Sequence, residues 1–302
     1  MLAEVLPAVL LGLVLLLAAC GSAGPSSSSR LVAVGAESQY ANVIAQVGGR
    51  YVQASAILSN PNTDPHTFQA SAGVAERLSQ ARLVVQNGLG YDGFMEKLES
   101  ASPSRERSVI DVQRLLHLPS STPNPHLWYD PRTMPKVAAA VAGALGRAEP
   151  DHASYFRANA AAFDRSLDPW NRAIASLRSS FPGAPVAVTE PVADDLIQAA
   201  GLHNQTPWTF QADVMNGVDP SPQEVTLEET LLRQRHVDAF LFNQQVTDSV
   251  TETLLGIARQ SGVPVVGVYE TMPAGYDYQG WMVAQTLAIQ KALADHTSTV
   301  AL

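Results

Sequence analysis

Cysteine and positive charge are both scarce in this sequence. Its 302 residues include a single cysteine, Cys20, so no disulfide can form within the chain. Lys and Arg number 19 against 28 Asp and Glu, which gives a net charge of −9 and a pI near 5.2. Such a chain offers no basic surface to neutralise a phosphate backbone, so nucleic-acid binding is disfavoured. An acidic exterior suits a small cation better than a nucleic acid as the binding partner.

A hydrophobic run long enough to span a membrane is missing as well. The apolar segment at residues 6–19 is interrupted by Pro7 and Gly12, and its length is typical of a secretory signal. It ends in "LAAC" and is followed by a Gly- and Ser-rich stretch, which resembles a bacterial lipobox. This implies a signal peptide at residues 1–19, lipidation of Cys20 and a flexible linker at residues 20–30. Glu4 departs from the positive start that a signal should have.

From Leu31 onward, short β-branched runs alternate with longer amphipathic stretches, which predicts an α/β fold with mainly parallel sheets. We predict two groups of four strands, at residues 31–34, 52–57, 83–86, 109–112, then 186–189, 208–210, 239–242 and 263–269. The expected organisation is an N-terminal lobe at 31–148, a linking helix at 149–182 and a C-terminal lobe at 183–302. Pro169 predicts a kink near Leu167, with Asp168 as a cap.

Several polar residues mark helix ends. Ser221 with Glu224, and Ser249 with Glu252, match the spacing of a capping box. The helix that follows Ser221 should run to about Arg235. A last helix should run from an N-cap at Asp277 to about Ala294.

Four potential metal ligands follow predicted strands. Glu190 and Glu270 come directly after two strands of the second group, and His66 and His126 lie in loops after two strands of the first. Ligands of parallel sheets bind at the carboxyl ends of the strands, so these side chains could meet in a cleft between the lobes. Imidazole nitrogens and carboxylates are natural ligands for a divalent transition metal, and two carboxylates balance its charge.

Segments that include "DPHTFQAS", "NPHLWYDPRTMPKVAAAVAGAL", "VTEPVADDLIQAAGL" and "VPVVGVYETMPAGYDYQGWM" resemble the substrate-binding lipoproteins of zinc and manganese ABC importers. The resemblance implies two (βα)4 lobes joined by a long backbone helix, with one metal between them bound by His66, His126, Glu190 and Glu270. It also implies that Trp128 and Tyr129 wall the cleft and that Asp130 caps the next helix. The expected protein is a monomer, exported and lipid-anchored on the outer face of the cytoplasmic membrane or periplasmic. Its expected partners are a membrane permease and the cytoplasmic ATPase of that importer.

The ligand set favours Mn²⁺, with Zn²⁺ next. Zinc members of this family generally use three histidines and often carry a His-rich loop, whereas the third position here is Glu190. Two bidentate carboxylates would raise the coordination number toward six, which suits Mn²⁺ better than tetrahedral Zn²⁺.

The alternatives to metal transport are three. The segment Gly88 to Gly93 matches the dinucleotide-binding pattern G-x-G-x-x-G, but it follows the third predicted strand instead of the first. An exported metallohydrolase would need a general base beside an open metal position, and the H-E-x-x-H motif is absent from the sequence. A surface adhesin built on the same fold is the third alternative. We expect a binding protein and no enzyme.

Overall fold

The structure, a computed structural model, describes residues 30–60, 68 and 71–302. The predicted signal peptide, Cys20 and His66 lie outside the described residues. Two four-stranded parallel sheets form the frame, with strand orders β2-β1-β3-β4 and β6-β5-β7-β8. The strands are β1 Leu31–Glu37, β2 Val52–Leu58, β3 Leu83–Gln86, β4 Ser108–Asp111, β5 Pro185–Val188, β6 His203–Asn204, β7 Ala239–Asn243 and β8 Val265–Val268.

Helices cover both sheets and connect them. Those of the first lobe are α1 Ser38–Gly48, α2 Ala72–Gln80, α3 Phe94–Ala101, α4 Val112–Leu115 and α5 Thr133–Ala148. The connection contains α6 Ala153–Ser166 and α7 Asp168–Ser180. The second lobe has α8 Asp194–Ala199, α9 Trp208–Met215, α10 Pro222–Arg233, α11 Ser249–Ser261 and α12 Tyr278–Asp295. Across residues 30–60, 68 and 71–302, none of the helices has the length and apolar character of a membrane span.

Apolar residues at helical spacing explain how the first lobe packs. On α1, four residues at positions i, i+3, i+4 and i+7 are fully buried: Tyr40, Val43, Ile44 and Val47. A similar stripe on α5 includes Met134, Val137, Ala138 and Val141, and both stripes belong to the same core. The central strand β3 is buried along its whole length, as expected for a parallel strand with helices on both faces.

The connection between the lobes consists of two helices that meet near Pro169, as predicted. Helix α6 ends at Ser166 and α7 begins at Asp168, so the predicted kink near Leu167 is confirmed. Pro169 lies in the first turn of α7, where its missing N–H would have had no helical partner. The predicted cap is wrong: Leu167 holds the N-cap position, and Asp168 is the first helical residue.

One strand of the second lobe was predicted wrongly. Residues 208–210 begin helix α9, and the strand that pairs with β5 is the two-residue β6, His203–Asn204. The aromatic and β-branched residues of "WTF" favour a strand by propensity, but their tertiary surroundings determine that the segment is helical. As a helix, the segment buries Phe210 together with Val214, one turn later.

Capping boxes begin two helices of the second lobe. The Ser221–Glu224 box is confirmed, and its helix ends at Arg233. The second box is shifted by one residue from the prediction, because Asp248 accepts the Val250 and Thr251 N–H groups and the Thr251 hydroxyl caps Asp248 in return. The predicted N-cap at Asp277 is confirmed, since its carboxylate accepts the Gly280 N–H at 2.7 Å.

Strand β8 leaves no room for a side chain at Gly267. The Gly267 N–H donates to Thr299 O at 2.8 Å, and a Cβ at this position would lie 2.0 Å from the carbonyl oxygen of Val300. We expect Gly267→Ala to lower the free energy of unfolding by about 1–3 kcal/mol, the usual cost of overpacking. Urea unfolding of the metal-free protein measures this.

Gly256→Ala is the matched control for this substitution. Gly256 lies inside α11, and a Cβ there would meet nothing within 4 Å. Because alanine is the better helix former, this variant should be more stable by up to about 1 kcal/mol. Equal stability of the two variants would contradict the close approach at Gly267.

Candidate metal centre

The carboxyl ends of the two sheets face each other around a buried polar centre. From the second lobe, Glu190 follows β5, Asn243 ends β7 and Glu270 follows β8. From the first lobe, Tyr91 follows β3 and His126 follows β4 and the short α4. All five side chains are buried. In each sheet the strand order reverses between two central strands, β1 and β3 in the first and β5 and β7 in the second. Ligands of parallel sheets bind at such switch points.

Asn243 joins the two predicted acidic ligands. Its side-chain nitrogen Nδ2 donates to Glu190 Oε1 at 3.0 Å and to Glu270 Oε1 at 2.7 Å. Two carboxylates that would repel each other in a buried site are thus brought together through one amide. The structure therefore places two of the predicted ligands, Glu190 and Glu270, in the same centre.

His126 approaches this centre from the other lobe. Its Nε2 lies 3.4 Å from Glu270 Oε2, and its Nδ1 lies 2.8 Å from Asn124 Oδ1. Since an amide oxygen only accepts, Nδ1 carries a hydrogen and Nε2 is directed toward Glu270. A separation of 3.4 Å is long for a charge-assisted hydrogen bond, but two ligand atoms at ~2.1 Å from one tetrahedral ion are about 3.4 Å apart.

Hydrogen bonds within the first lobe hold the His126 loop in place. The Asn87 side chain donates to Pro125 O at 2.8 Å and accepts from the Tyr40 hydroxyl at 2.6 Å. Tyr40 lies on α1 and Asn87 follows β3, so the loop is tied to two elements of the core. His126 thus has a fixed position, as a preorganised ligand requires.

Tyr91 is a second polar contact of Glu270 from the first lobe. Its hydroxyl donates to Glu270 Oε2 at 3.0 Å, and its ring packs edge-on against His126 and Trp128. Burial, with the neighbouring Glu270 carboxylate as the next cause, raises the pKa of Tyr91 well above its ordinary value. The phenol therefore stays protonated and acts as a hydrogen-bond donor.

The glycine-rich segment around Tyr91 forms hydrogen bonds within its own loop. The carboxylate of Asp92 accepts the backbone N–H groups of Asn87 and Gly88. Gly88 and Gly90 adopt positive φ angles of 81° and 78°, which form this tight turn. Because Asp92 occupies the N–H groups that a pyrophosphate would require, the geometry argues against a dinucleotide site.

Aromatic residues pack beside His126 and connect the lobes. Trp128 packs against His126, and the Tyr129 hydroxyl donates to Tyr269 O at 2.9 Å. The hydroxyl of Tyr278, on α12, donates to Trp128 O at 2.5 Å. Asp130 does not cap α5 as predicted: its carboxylate accepts the Arg132 N–H and pairs with the Arg132 guanidinium, whereas α5 begins at Thr133.

A further acidic residue, Glu37, lies at the end of β1 and was not predicted from the sequence. Its side chain is fully buried, and neither carboxyl oxygen has a hydrogen-bond partner among the described residues. Burial, followed by the nearby charge of Asp92, raises the pKa of Glu37 well above its ordinary value. Burial thus favours the protonated, neutral form of Glu37 at the carboxyl edge of the first sheet.

The described part of the chain supplies three of the four predicted ligands, and His66 lies outside it. Within residues 30–60, 68 and 71–302, no three or more His, Cys, Asp or Glu side chains are arranged to hold a metal ion by themselves. His126 and the two glutamates are instead joined through Asn243 and Tyr91. Sequence reasoning missed both of these residues, although each follows or ends a correctly predicted strand.

Two parallel-sheet lobes whose carboxyl edges enclose a buried centre of imidazole and carboxylate groups define a two-lobe binding protein. The profile of the family described as zinc-uptake complex component A, periplasmic (ZnuA), matches residues 34–292. The chain therefore belongs to the ZnuA family, and the resemblance noted in the sequence is confirmed.

Individual relatives agree with this assignment. The chain is 29% identical over 167 residues to the manganese-binding lipoprotein MntA of Bacillus subtilis, a match that covers 52% of this chain and 54% of MntA. It is 21% identical over 259 residues to the manganese ABC transporter substrate-binding lipoprotein PsaA of Streptococcus pneumoniae, with 81% of each covered. The structure of the periplasmic zinc-binding protein TroA of Treponema pallidum matches with a TM-score of 0.74 at 19% identity, over 89% of this chain and 100% of TroA. The predicted fold class is confirmed.

Proposed function

We propose that this protein captures a divalent transition metal, Mn²⁺ or Zn²⁺, outside the cytoplasm and delivers it to an ABC importer. The observation that carries the proposal is the buried contact of His126 with Glu270 across the lobes, at 3.4 Å, with Glu190 joined to Glu270 through Asn243. His126, Glu190 and Glu270 are the proposed ligands, with His66 as the fourth.

The charge and the ligand chemistry of the centre support this function. Two ionised glutamates balance the charge of a divalent cation, and neutral imidazoles complete a set suited to transition metals. The relatives carry names that match both candidate metals: MntA and PsaA are named for manganese, and TroA for zinc. Zinc should bind more tightly than manganese at such a site, since affinities follow the Irving–Williams order.

The proposed mechanism is capture followed by delivery, without chemistry on the metal. The first lobe contributes imidazoles and the second contributes carboxylates, so the ion itself draws the two lobes together. The Tyr129–Tyr269 and Tyr278–Trp128 hydrogen bonds already link the lobes, which limits the amplitude of opening. Four protein ligands would fill a tetrahedral metal site and leave no open position for hydrolysis, so we propose a binding protein and no enzyme.

The lipid anchor belongs to the same proposal. Lipidation of Cys20 would tether the domain through the Gly- and Ser-rich linker at residues 20–30. A monomer on such a tether could move between capturing a metal and docking on a membrane permease.

Calorimetric titration of metal-free protein tests the proposed function. We expect one equivalent of Zn²⁺ and one of Mn²⁺ to bind, with Zn²⁺ displacing Mn²⁺. Glu190→Ala should lose at least about 10-fold in affinity for both metals, because even partners outside the ligand shell contribute that much.

The matched control for this titration is His203→Ala. His203 is exposed on the edge strand β6, so its removal should leave both affinities unchanged. A wild-type protein that binds neither metal stoichiometrically would refute the proposed function. Unchanged binding by Glu190→Ala would refute only the ligand set.

A further inference from the structure

The two acidic ligands share one hydrogen-bond donor, the side-chain amide of Asn243. An amide nitrogen carries two hydrogens, and the distances of 3.0 Å to Glu190 Oε1 and 2.7 Å to Glu270 Oε1 assign one to each carboxylate. Asn243 Oδ1 accepts the Gln245 N–H at 3.0 Å, and the Asn243 N–H donates to Thr189 Oγ1 at 3.0 Å. A flipped amide would direct its oxygen at two carboxylates, so these contacts determine the orientation.

This orientation decides which carboxylate oxygens can face a cation. Oε1 of each glutamate accepts from Asn243. Oε2 of Glu270 lies 3.4 Å from His126 Nε2, on the side of the imidazole, and accepts from the rotatable Tyr91 hydroxyl at 3.0 Å. Bidentate coordination needs both oxygens of a carboxylate at similar distances from the metal. An N–H donor that holds Oε1 on the Asn243 side keeps this oxygen from turning toward a cation beside Oε2, so Asn243 disfavours bidentate coordination.

We infer that Asn243 is a specificity-determining positioning residue, which holds Glu190 and Glu270 as one-oxygen ligands and so favours Zn²⁺ over Mn²⁺. The inference rests on the proposed function. Zn²⁺ is most often bound by four ligands in a tetrahedron, whereas octahedral sites with more oxygen ligands suit Mn²⁺. The sequence alone favoured Mn²⁺ because two bidentate glutamates would raise the coordination number. Asn243 opposes that arrangement at both glutamates.

Removal of the amide should therefore change the two affinities unequally. In Asn243→Ala, both Oε1 atoms lose this donor and can turn toward the cation. We expect Zn²⁺ affinity to fall 10–100-fold, the usual effect of losing a hydrogen bond to a metal ligand. Mn²⁺ gains ligand oxygens in exchange, so its affinity should fall by less than about 3-fold, and the Zn²⁺/Mn²⁺ affinity ratio should fall at least about 3-fold.

The experiment is a competition titration of Zn²⁺ against Mn²⁺ on wild-type protein, Asn243→Ala and Asn204→Ala. Asn204 is a matched control, because its side-chain amide also donates to a carboxylate of the same lobe, that of Asp194, at 2.8 Å. The Co²⁺-loaded proteins supply a second readout. Their visible absorption should change from an intense tetrahedral spectrum in the wild type to a weak six-coordinate spectrum in Asn243→Ala alone.

The outcomes separate this inference from the proposed function. A wild-type protein without metal binding would refute the function itself. A wild-type protein that binds, with an Asn243→Ala variant whose two affinities fall equally or whose Co²⁺ spectrum is unchanged, would overturn only the role of Asn243. If Asn243→Ala does not fold, Asn243→Ser, which retains one donor, should show a smaller shift of the ratio in the same direction. An unchanged ratio in that variant would also overturn the inference.

Discussion

Glu270→Gln should abolish tight metal binding, with a loss of affinity of at least about 100-fold for both Zn²⁺ and Mn²⁺. Glu270 is the side chain at which the lobes meet, since it contacts Asn243 of the second lobe and Tyr91 and His126 of the first. Glutamine has the same size but no charge, so one of two negative charges that balance the cation is lost. Calorimetry on metal-free protein measures the change.

The control for this substitution is Glu252→Gln. Glu252 lies in the first turn of α11 and is exposed. Its replacement removes the same charge from the protein but should not alter metal affinity. If Glu252→Gln and Glu270→Gln lowered the affinity equally, the overall charge and not the site would govern binding. If neither lowered it, Glu270 would not be a ligand.

Glu228→Gln should make the metal-free protein more stable at pH 8, by about 3 kcal/mol relative to the wild type. Glu228 lies on α10, fully buried, and its Oε1 accepts from the Thr206 hydroxyl at 2.6 Å. No hydrogen-bond partner of its Oε2 is present among the described residues. Burial raises the pKa of Glu228 to about 7, and the Thr206 hydrogen bond opposes this effect.

The sign of the effect follows from proton linkage. An unfolded glutamate has a pKa near ~4.3, so between that pH and about 7 the folded protein binds more protons than the unfolded chain. The stabilisation from protonated Glu228 is therefore complete below the unfolded pKa and is lost as the pH rises through 7. Glutamine cannot ionise, so Glu228→Gln escapes this loss.

Urea unfolding of both proteins at pH 5 and pH 8, in the presence of a chelator, measures the prediction. The free energy of unfolding of Glu228→Gln relative to the wild type should increase between these two pH values by about 2–3 kcal/mol. The neighbour Glu229, which pairs with Arg233 on the surface, provides the control. Glu229→Gln should change this difference by less than about 1 kcal/mol. A Glu228→Gln difference that is the same at both pH values would show that Glu228 does not titrate in this range.

Local patterns were sufficient for most of the fold. Strands such as β3 and β7 are continuous apolar runs, because a parallel strand with helices on both faces is buried along its length. The kink at Leu167 followed from Pro169, whose ring excludes an uninterrupted helix. The strand predicted at residues 208–210 was wrong because the local pattern there is uninformative. Two or three aromatic and β-branched residues carry no period, so only packing could distinguish α9 from a strand.

The candidate site was predicted only in part, and for a related reason. The rule that ligands lie at the carboxyl ends of parallel strands identified His126, Glu190 and Glu270 as neighbours. Asn243 obeys the same rule, but a neutral amide after a strand has no chemistry that singles it out in a sequence. Tyr91 was hidden within a segment that resembles a phosphate-binding loop.

The sequence by itself determined the composition of each lobe, the direction of its sheet and the residues that reach its carboxyl edge, because all three depend on periodicity and on order along the chain. Only the tertiary structure decided which atoms meet. Asn243 lies 53 residues from Glu190 and 27 from Glu270, and His126 lies 144 residues from Glu270. Hydrogen-bond geometry and burial depend on groups this far apart. They determine how the glutamate oxygens are oriented and why the pKa of Glu228 is raised to about 7.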